Sequence, residues 1–112
     1  MFDNIAVNNK LEKDGYAVIQ FLNSEEIQYV IKYFNEMHLN NENMNDHLKQ
    51  SMLFSNKYPD EDYKENTQIF LNKFLSPKLK QITNIYEIIN SVFIIKPAGW
   101  GVFDYHQDWN MV

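Results

Sequence analysis

The chain has no cysteine among its 112 residues, and this absence excludes several kinds of site at once. Disulfide bonds, thiolate zinc sites, iron–sulfur clusters and cysteine nucleophiles all need a cysteine. A bound metal would therefore need histidine, carboxylate or carbonyl ligands. A chain without disulfides is also compatible with a reducing cytosol, and we expect a cytoplasmic protein.

The sequence also lacks an excess of positive charge and a long apolar run. Ten basic residues stand against 15 acidic ones, which gives a net charge of -5. Nucleic acids and anionic membranes both attract concentrated basic surfaces, so we expect neither as a partner. The apolar run at residues 92–95 is too short to span a bilayer, and residues 1–5 show no signal-peptide pattern.

Hydrophobic residues make up 45% of the sequence, which is enough for one core. We therefore expect a single domain over residues 1–112. Residues 1–14 predict either a short helix or a loose lead-in, and residues 16–22 predict a strand because they are rich in β-branched and aromatic side chains. Asn23 or Ser24 then caps an amphipathic helix that has two acidic residues in its first turn.

The middle of the chain is polar, and residues 39–66 predict a long excursion. Its acidic run, Asp60 to Asp62, is interpreted as a solvated loop face, because the spacing of a calcium-binding EF-hand loop is missing. Ile69, Phe70 and Phe74 predict a second helix.

That helix is expected to break near Ser76 and Pro77 and to restart over residues 79–86. Residues 90–96 predict a buried strand, and residues 102–109 predict another after a turn. The predicted order along the chain is strand, helix, long loop, helices and then a hairpin. This order indicates an α+β fold.

The last predicted strand carries the most informative motif, His106-Gln107-Asp108. Side chains two apart on a strand point to the same side, so His106 and Asp108 are expected to act together. One imidazole and one carboxylate are two of the three ligands that hold non-haem Fe(II) in oxygenases. Gln107 would point to the other face.

Two stretches of the chain extend this pattern. In residues 11–27, a Gly15-Tyr16 pair opens a strand that leads into a capped helix. In residues 93–109, a strand ending in Lys96 is followed by a Pro/Gly turn, the His-Gln-Asp motif and Trp109. Together they resemble the phytanoyl-CoA dioxygenase family, whose members are Fe(II)- and 2-oxoglutarate-dependent oxygenases.

The resemblance implies that His106 and Asp108 bind Fe(II), that Lys96 contacts the co-substrate 2-oxoglutarate, and that a small molecule is hydroxylated. It implies N-terminal helices followed by the first strands of a double-stranded β-helix, or jelly roll, as an incomplete barrel. The family's distal His and its 2-oxoglutarate-binding Arg have no counterpart here. The chain is therefore expected to be the N-terminal fragment of a dioxygenase domain.

Other interpretations remain open on the residues alone. Lys96 equally suits a solvated strand end, and His106 with Asp108 suits an ordinary hydrogen-bonded or exposed pair. His38 suits the end of a helix and His47 suits the surface. The chain could be a non-catalytic interaction domain or one half of a split enzyme. An unpaired last strand would leave an exposed sheet edge, so we expect self-association or a complementing chain.

Overall fold

The computed structural model describes residues 1–38 and 53–96, and helix accounts for 57% of this part. The first helix, α1, spans Ile5–Asp14. Asn4 caps its start, because the Asn4 side-chain oxygen accepts a hydrogen bond from the backbone N–H of Ala6 at 2.9 Å. Gly15 ends it in the left-handed conformation, with φ at 78°. Of the two predictions for the first 14 residues, the helix is confirmed.

The second helix, α2, spans Ser24–His38 and begins where the sequence predicts. The Asn23 side-chain oxygen accepts from the N–H of Glu26 at 2.9 Å, and the Glu26 carboxylate accepts from the N–H of Asn23 at 2.9 Å. This reciprocal pair is a capping box, which satisfies two backbone donors at once. The predicted cap and helix are confirmed.

The third helix, α3, spans Glu61–Leu79 and corrects two predictions. Asp60 is its N-cap, since the Asp60 side chain accepts from the N–H of Tyr63 at 3.0 Å. The acidic run is therefore a helix start, where negative charge favours the helix dipole, and not a loop face. Pro77 lies inside the last turn without breaking the helix, and no helix restarts between Lys80 and Phe93.

The sheet consists of two short antiparallel strands, β1 (Leu53–Phe54) and β2 (Ile94–Ile95). Leu53 pairs with Ile95, and Phe54 pairs with Ile94. A 3-10 turn at Ser55–Lys57 then joins β1 to the segment before α3.

The prediction of an α+β fold with the first strands of a jelly roll is wrong for the part of the chain described. Residues 1–38 and 53–96 form no barrel and no further strand. Residues 16–22, predicted as a strand, form none, and the strand predicted at residues 90–96 is limited to the two residues of β2. The physical reason is that strand-forming side chains make a strand only where a partner supplies the backbone hydrogen bonds.

The core lies between the sheet and the start of α3. Leu53, Tyr58 and Tyr63 are buried there, at 3%, 6% and 4% exposure, and Met37 and Ile95 pack against them. Within residues 1–38 and 53–96, no helix is long and apolar enough to cross a bilayer.

Aromatic rings join α2 to α3. The rings of Tyr33 and Phe70 stack with their centroids 3.6 Å apart. The ring centroids of Tyr29 and Phe74 lie 5.5 Å apart. Later residues of α2 meet earlier residues of α3, so the two helices run antiparallel.

An ion pair between Glu26 and Lys78 connects the first turn of α2 to the last turn of α3. The hydrogen bond from Lys78, followed by the one from the backbone N–H of Asn23, lowers the pKa of Glu26 below its ordinary value of 4.5. A lowered pKa in the folded state stabilises the fold above the unfolded-state pKa, and that contribution disappears as the pH falls through the folded-state value. The pair therefore stabilises the fold at neutral pH and not in acid.

We expect Glu26→Gln to lower the melting temperature by a few degrees near neutral pH. Glutamine keeps an oxygen for the capping box, so the change isolates the ion pair from the cap. The difference from wild type should shrink below pH 4.5, as thermal unfolding followed by circular dichroism across pH will measure. Glu12→Gln, at an exposed position of α1, is the matched control. A difference that stays constant into acid would contradict the assignment.

Candidate functional site

The structure describes one of the three predicted site residues. Lys96 is exposed and directly follows β2. His106 and Asp108 lie outside the described residues, as does His47. His38 is the last residue of α2.

The backbone before Lys96 is held at a fixed place. Beyond the paired residues of β1 and β2, Ser55 continues the ladder: its N–H donates to the carbonyl of Phe93 at 3.0 Å. The Ser55 hydroxyl oxygen accepts from the N–H of Phe93 at 2.9 Å, and Ser55 is itself buried. Ile95 packs against the core below. The sheet therefore fixes the point from which the chain leads from Lys96 towards the motif.

A buried cluster of tyrosines and a threonine lies beside the sheet and was not predicted from the sequence. Tyr63 packs edge-on against Tyr58 with centroids 5.2 Å apart. Thr67, one helical turn after Tyr63, is 1% exposed. Spacing of Tyr63, Thr67 and Leu71 at four-residue intervals is the signal that marks this buried face of α3.

Burial raises the pKa of two phenols, those of Tyr63 and Tyr33. Loss of solvent raises the pKa of Tyr63 to about 12, although the nearby Thr67 hydroxyl acts in the opposite direction. Burial also raises the pKa of Tyr33 above its ordinary value of 10.0, against the same hydroxyl. Both of these phenols are neutral at physiological pH, which does not suit them to act as general bases.

A groove of about 510 Å³ opens where the chain start, residues 18–20 and residues 81–82 meet. Five apolar and four polar residues line it: Phe2, Asp3, Asn4, Val7, Val18, Ile19, Gln20, Gln81 and Ile82. The lining contains one acidic side chain, that of Asp3. It contains no lysine, histidine or cysteine. The groove therefore offers surface for docking and no set of catalytic groups.

Metal-binding groups are also missing from the part of the chain that the structure covers. Within residues 1–38 and 53–96, no three His, Cys, Asp or Glu side chains lie together in a way that could hold a metal ion. Comparison with models of known protein families, with curated proteins and with solved structures finds no match. The candidate site therefore depends on the sequence motif, with Lys96 as its one structurally placed member.

Proposed function

We propose that this chain supplies His106 and Asp108 as two ligands of a mononuclear Fe(II) centre in a 2-oxoglutarate-dependent oxygenase that oxidises a small molecule. The observation that carries the proposal is the His106-Gln107-Asp108 motif within the pattern of residues 93–109. The location that goes with it is the cytoplasm, because a chain without cysteine needs no oxidising compartment.

The donor set fits the metal. An imidazole nitrogen and a carboxylate oxygen are the ligands that non-haem Fe(II) takes in oxygenases, and the carboxylate offsets part of the dication's charge. When bound, Fe(II) would supply O₂ activation coupled to the decarboxylation of 2-oxoglutarate. The third protein ligand would come from outside this pair, and no arginine is present in the sequence to bind the far carboxylate of 2-oxoglutarate. Those groups are proposed to lie on a further segment or a second polypeptide.

Lys96 is the proposed contact to 2-oxoglutarate. Its ammonium group is exposed, so it is free to meet an anionic co-substrate. β2 ends at the preceding residue, Ile95, so the sheet holds the backbone that leads to Lys96, which limits the conformational entropy that binding would cost. A lysine acts there as a point charge and not as a bidentate clamp.

Anaerobic calorimetric titration with Fe(II) tests the proposal. Two protein ligands bind Fe(II) weakly, so the titration should extend to about 1 mM Fe(II). A dissociation constant of about 1 mM corresponds to a binding free energy of roughly 4 kcal/mol. We expect one site that strengthens with 2-oxoglutarate and that His106→Ala/Asp108→Ala abolishes. Lys96→Gln should remove the strengthening while leaving Fe(II) binding itself unchanged.

Two matched variants serve as controls. His47→Ala removes a histidine outside the motif, and Lys73→Gln removes an exposed lysine on α3. Both should behave as wild type. Absence of Fe(II) binding, or binding that the double variant leaves intact, would contradict the proposal.

A further inference from the structure

Residues 16–22, here called the edge segment, have the pattern of a strand without being one. Exposure alternates along them: Tyr16 and Val18 are 61% and 84% exposed, whereas Ala17 and Ile19 are half-buried. A period of two is what a strand shows when one of its faces lies against the body of the protein. The segment therefore keeps one face on the molecule and presents the other to solvent.

The backbone of the edge segment has no partner in the part of the chain that is described. From Tyr16 to Phe21, no N–H or carbonyl group forms a hydrogen bond within residues 1–38 and 53–96. One bond involves the segment's end, where the Gln20 side chain donates to the carbonyl of Leu22 at 3.0 Å. A row of unpaired backbone groups beside apolar side chains is a template for pairing with another strand.

We infer that the edge segment pairs antiparallel with the same segment of a second copy of this chain, with Val18 opposite Val18. A two-fold axis through Val18 then places Tyr16 opposite Gln20 and Ala17 opposite Ile19. Both half-buried positions stay on one face of the new ribbon, so the pairing is self-complementary. β-branched and aromatic side chains gain from such cross-strand contacts.

Charge favours a second copy in this orientation. Residues 16–22 contain no charged residue and no proline, which are the devices that normally block edge pairing. The flanks differ: before the segment Lys10 pairs with Asp14 at 2.6 Å, and after it comes the acidic Glu25, next to Glu26, whose carboxylate is paired with Lys78. In an antiparallel pair, the flank before the segment in one copy, whose charges are balanced, lies beside the acidic flank after the segment in the other copy. A parallel pair would bring the two acidic flanks together.

A cysteine scan of the full chain tests the register directly, because the sequence has no cysteine of its own. In either kind of antiparallel pair, opposite Cα atoms lie about 4.5–5.5 Å apart, and a disulfide bridges that distance. Val18→Cys should give a disulfide-linked dimer under mild oxidation at least about tenfold faster than Ile89→Cys, because a preformed pair raises the effective concentration of the thiols. Ile89 is the matched control, being apolar and 91% exposed.

Sedimentation velocity across a concentration series provides the second readout. Wild type should show a monomer–dimer equilibrium, and Val18→Lys should weaken it at least about tenfold at low salt, because two like charges would then face each other. Val18→Thr should dimerise as wild type does. The exposed position makes these changes harmless to the fold, which circular dichroism will check. Equal cross-linking of the two cysteine variants, or a wild-type chain that stays monomeric throughout, would overturn the inference.

Discussion

Replacing Leu53 by alanine should cost about 2–5 kcal/mol of unfolding free energy, the usual range for a large-to-small change in a core. Leu53 is 3% exposed, lies in β1 and packs with Tyr58 and Tyr63. The loss includes the transfer energy of the removed methyl groups and the cavity left behind. Because native domains are stable by only about 5–15 kcal/mol, a change of this size removes a large fraction of the free energy of unfolding. Urea unfolding followed by circular dichroism will measure it.

Ile94→Ala is the matched control for this change. Ile94 lies on β2, in the same two-stranded sheet, but is 53% exposed. A surface substitution of this kind usually changes stability by roughly 0.5 kcal/mol. Equal losses for the two variants would show that the core does not lie beneath the sheet.

Tyr63→Phe should remove much of the protein's sensitivity to alkali. Burial raises the pKa of Tyr63 from 10.0 to about 12 in the folded state. A raised pKa stabilises the fold fully below the unfolded-state value, and the contribution is lost as the pH rises through the folded-state value. Wild type should therefore lose stability steeply between pH 10 and pH 12, whereas Tyr63→Phe should lose less. Urea titrations at stepped pH will measure the slopes.

Tyr86→Phe is the control for the alkaline experiment, because the Tyr86 ring is 46% exposed. It should follow the wild-type curve. The Tyr33 phenol, whose pKa burial also raises, will leave a residual slope in Tyr63→Phe. If Tyr63→Phe and wild type lose stability in parallel above pH 10, ionisation of Tyr63 does not control alkaline unfolding.

A local signal in the sequence predicted the start of α2. The cap of α2 at Asn23 follows from side chains that bond to backbone groups within three residues, so it needs no tertiary partner. The same logic applies to Asp60 at the start of α3, and treating that acidic run as a loop missed it. Pro77 lies in the last turn of α3, where its missing N–H costs one hydrogen bond to the preceding turn, and the helix still reaches Leu79.

Predictions that depend on distant partners also failed. Residues 16–22 have the composition of a strand, but a strand needs a second backbone, and none is paired with it in the described part of the chain. The exposed edge was expected at the last predicted strand, residues 102–109, which lies outside the described residues, whereas our inference concerns residues 16–22. The expected jelly roll is absent from residues 1–38 and 53–96.

The candidate site shows the same difference between features that are local in the sequence and features that depend on distant residues. The sequence selects His106 and Asp108 by residue type and spacing, and the structure places Lys96 on a strand end anchored by Ser55. The buried Tyr63–Thr67 face has no chemical motif and shows itself only through packing. Geometry around the motif is not accessible from spacing alone, because a metal site depends on how separate segments converge.

The most direct test of the proposed iron centre is a proton NMR titration with Mn²⁺ as a paramagnetic stand-in for Fe(II). The chain has three histidines, His38, His47 and His106, so each imidazole resonance can be assigned with a single substitution. We predict that substoichiometric Mn²⁺ broadens the His106 resonance selectively and that Asp108→Ala removes this effect. Equal broadening of all three resonances, or broadening that spares His106, would contradict the assignment of the motif as a metal site.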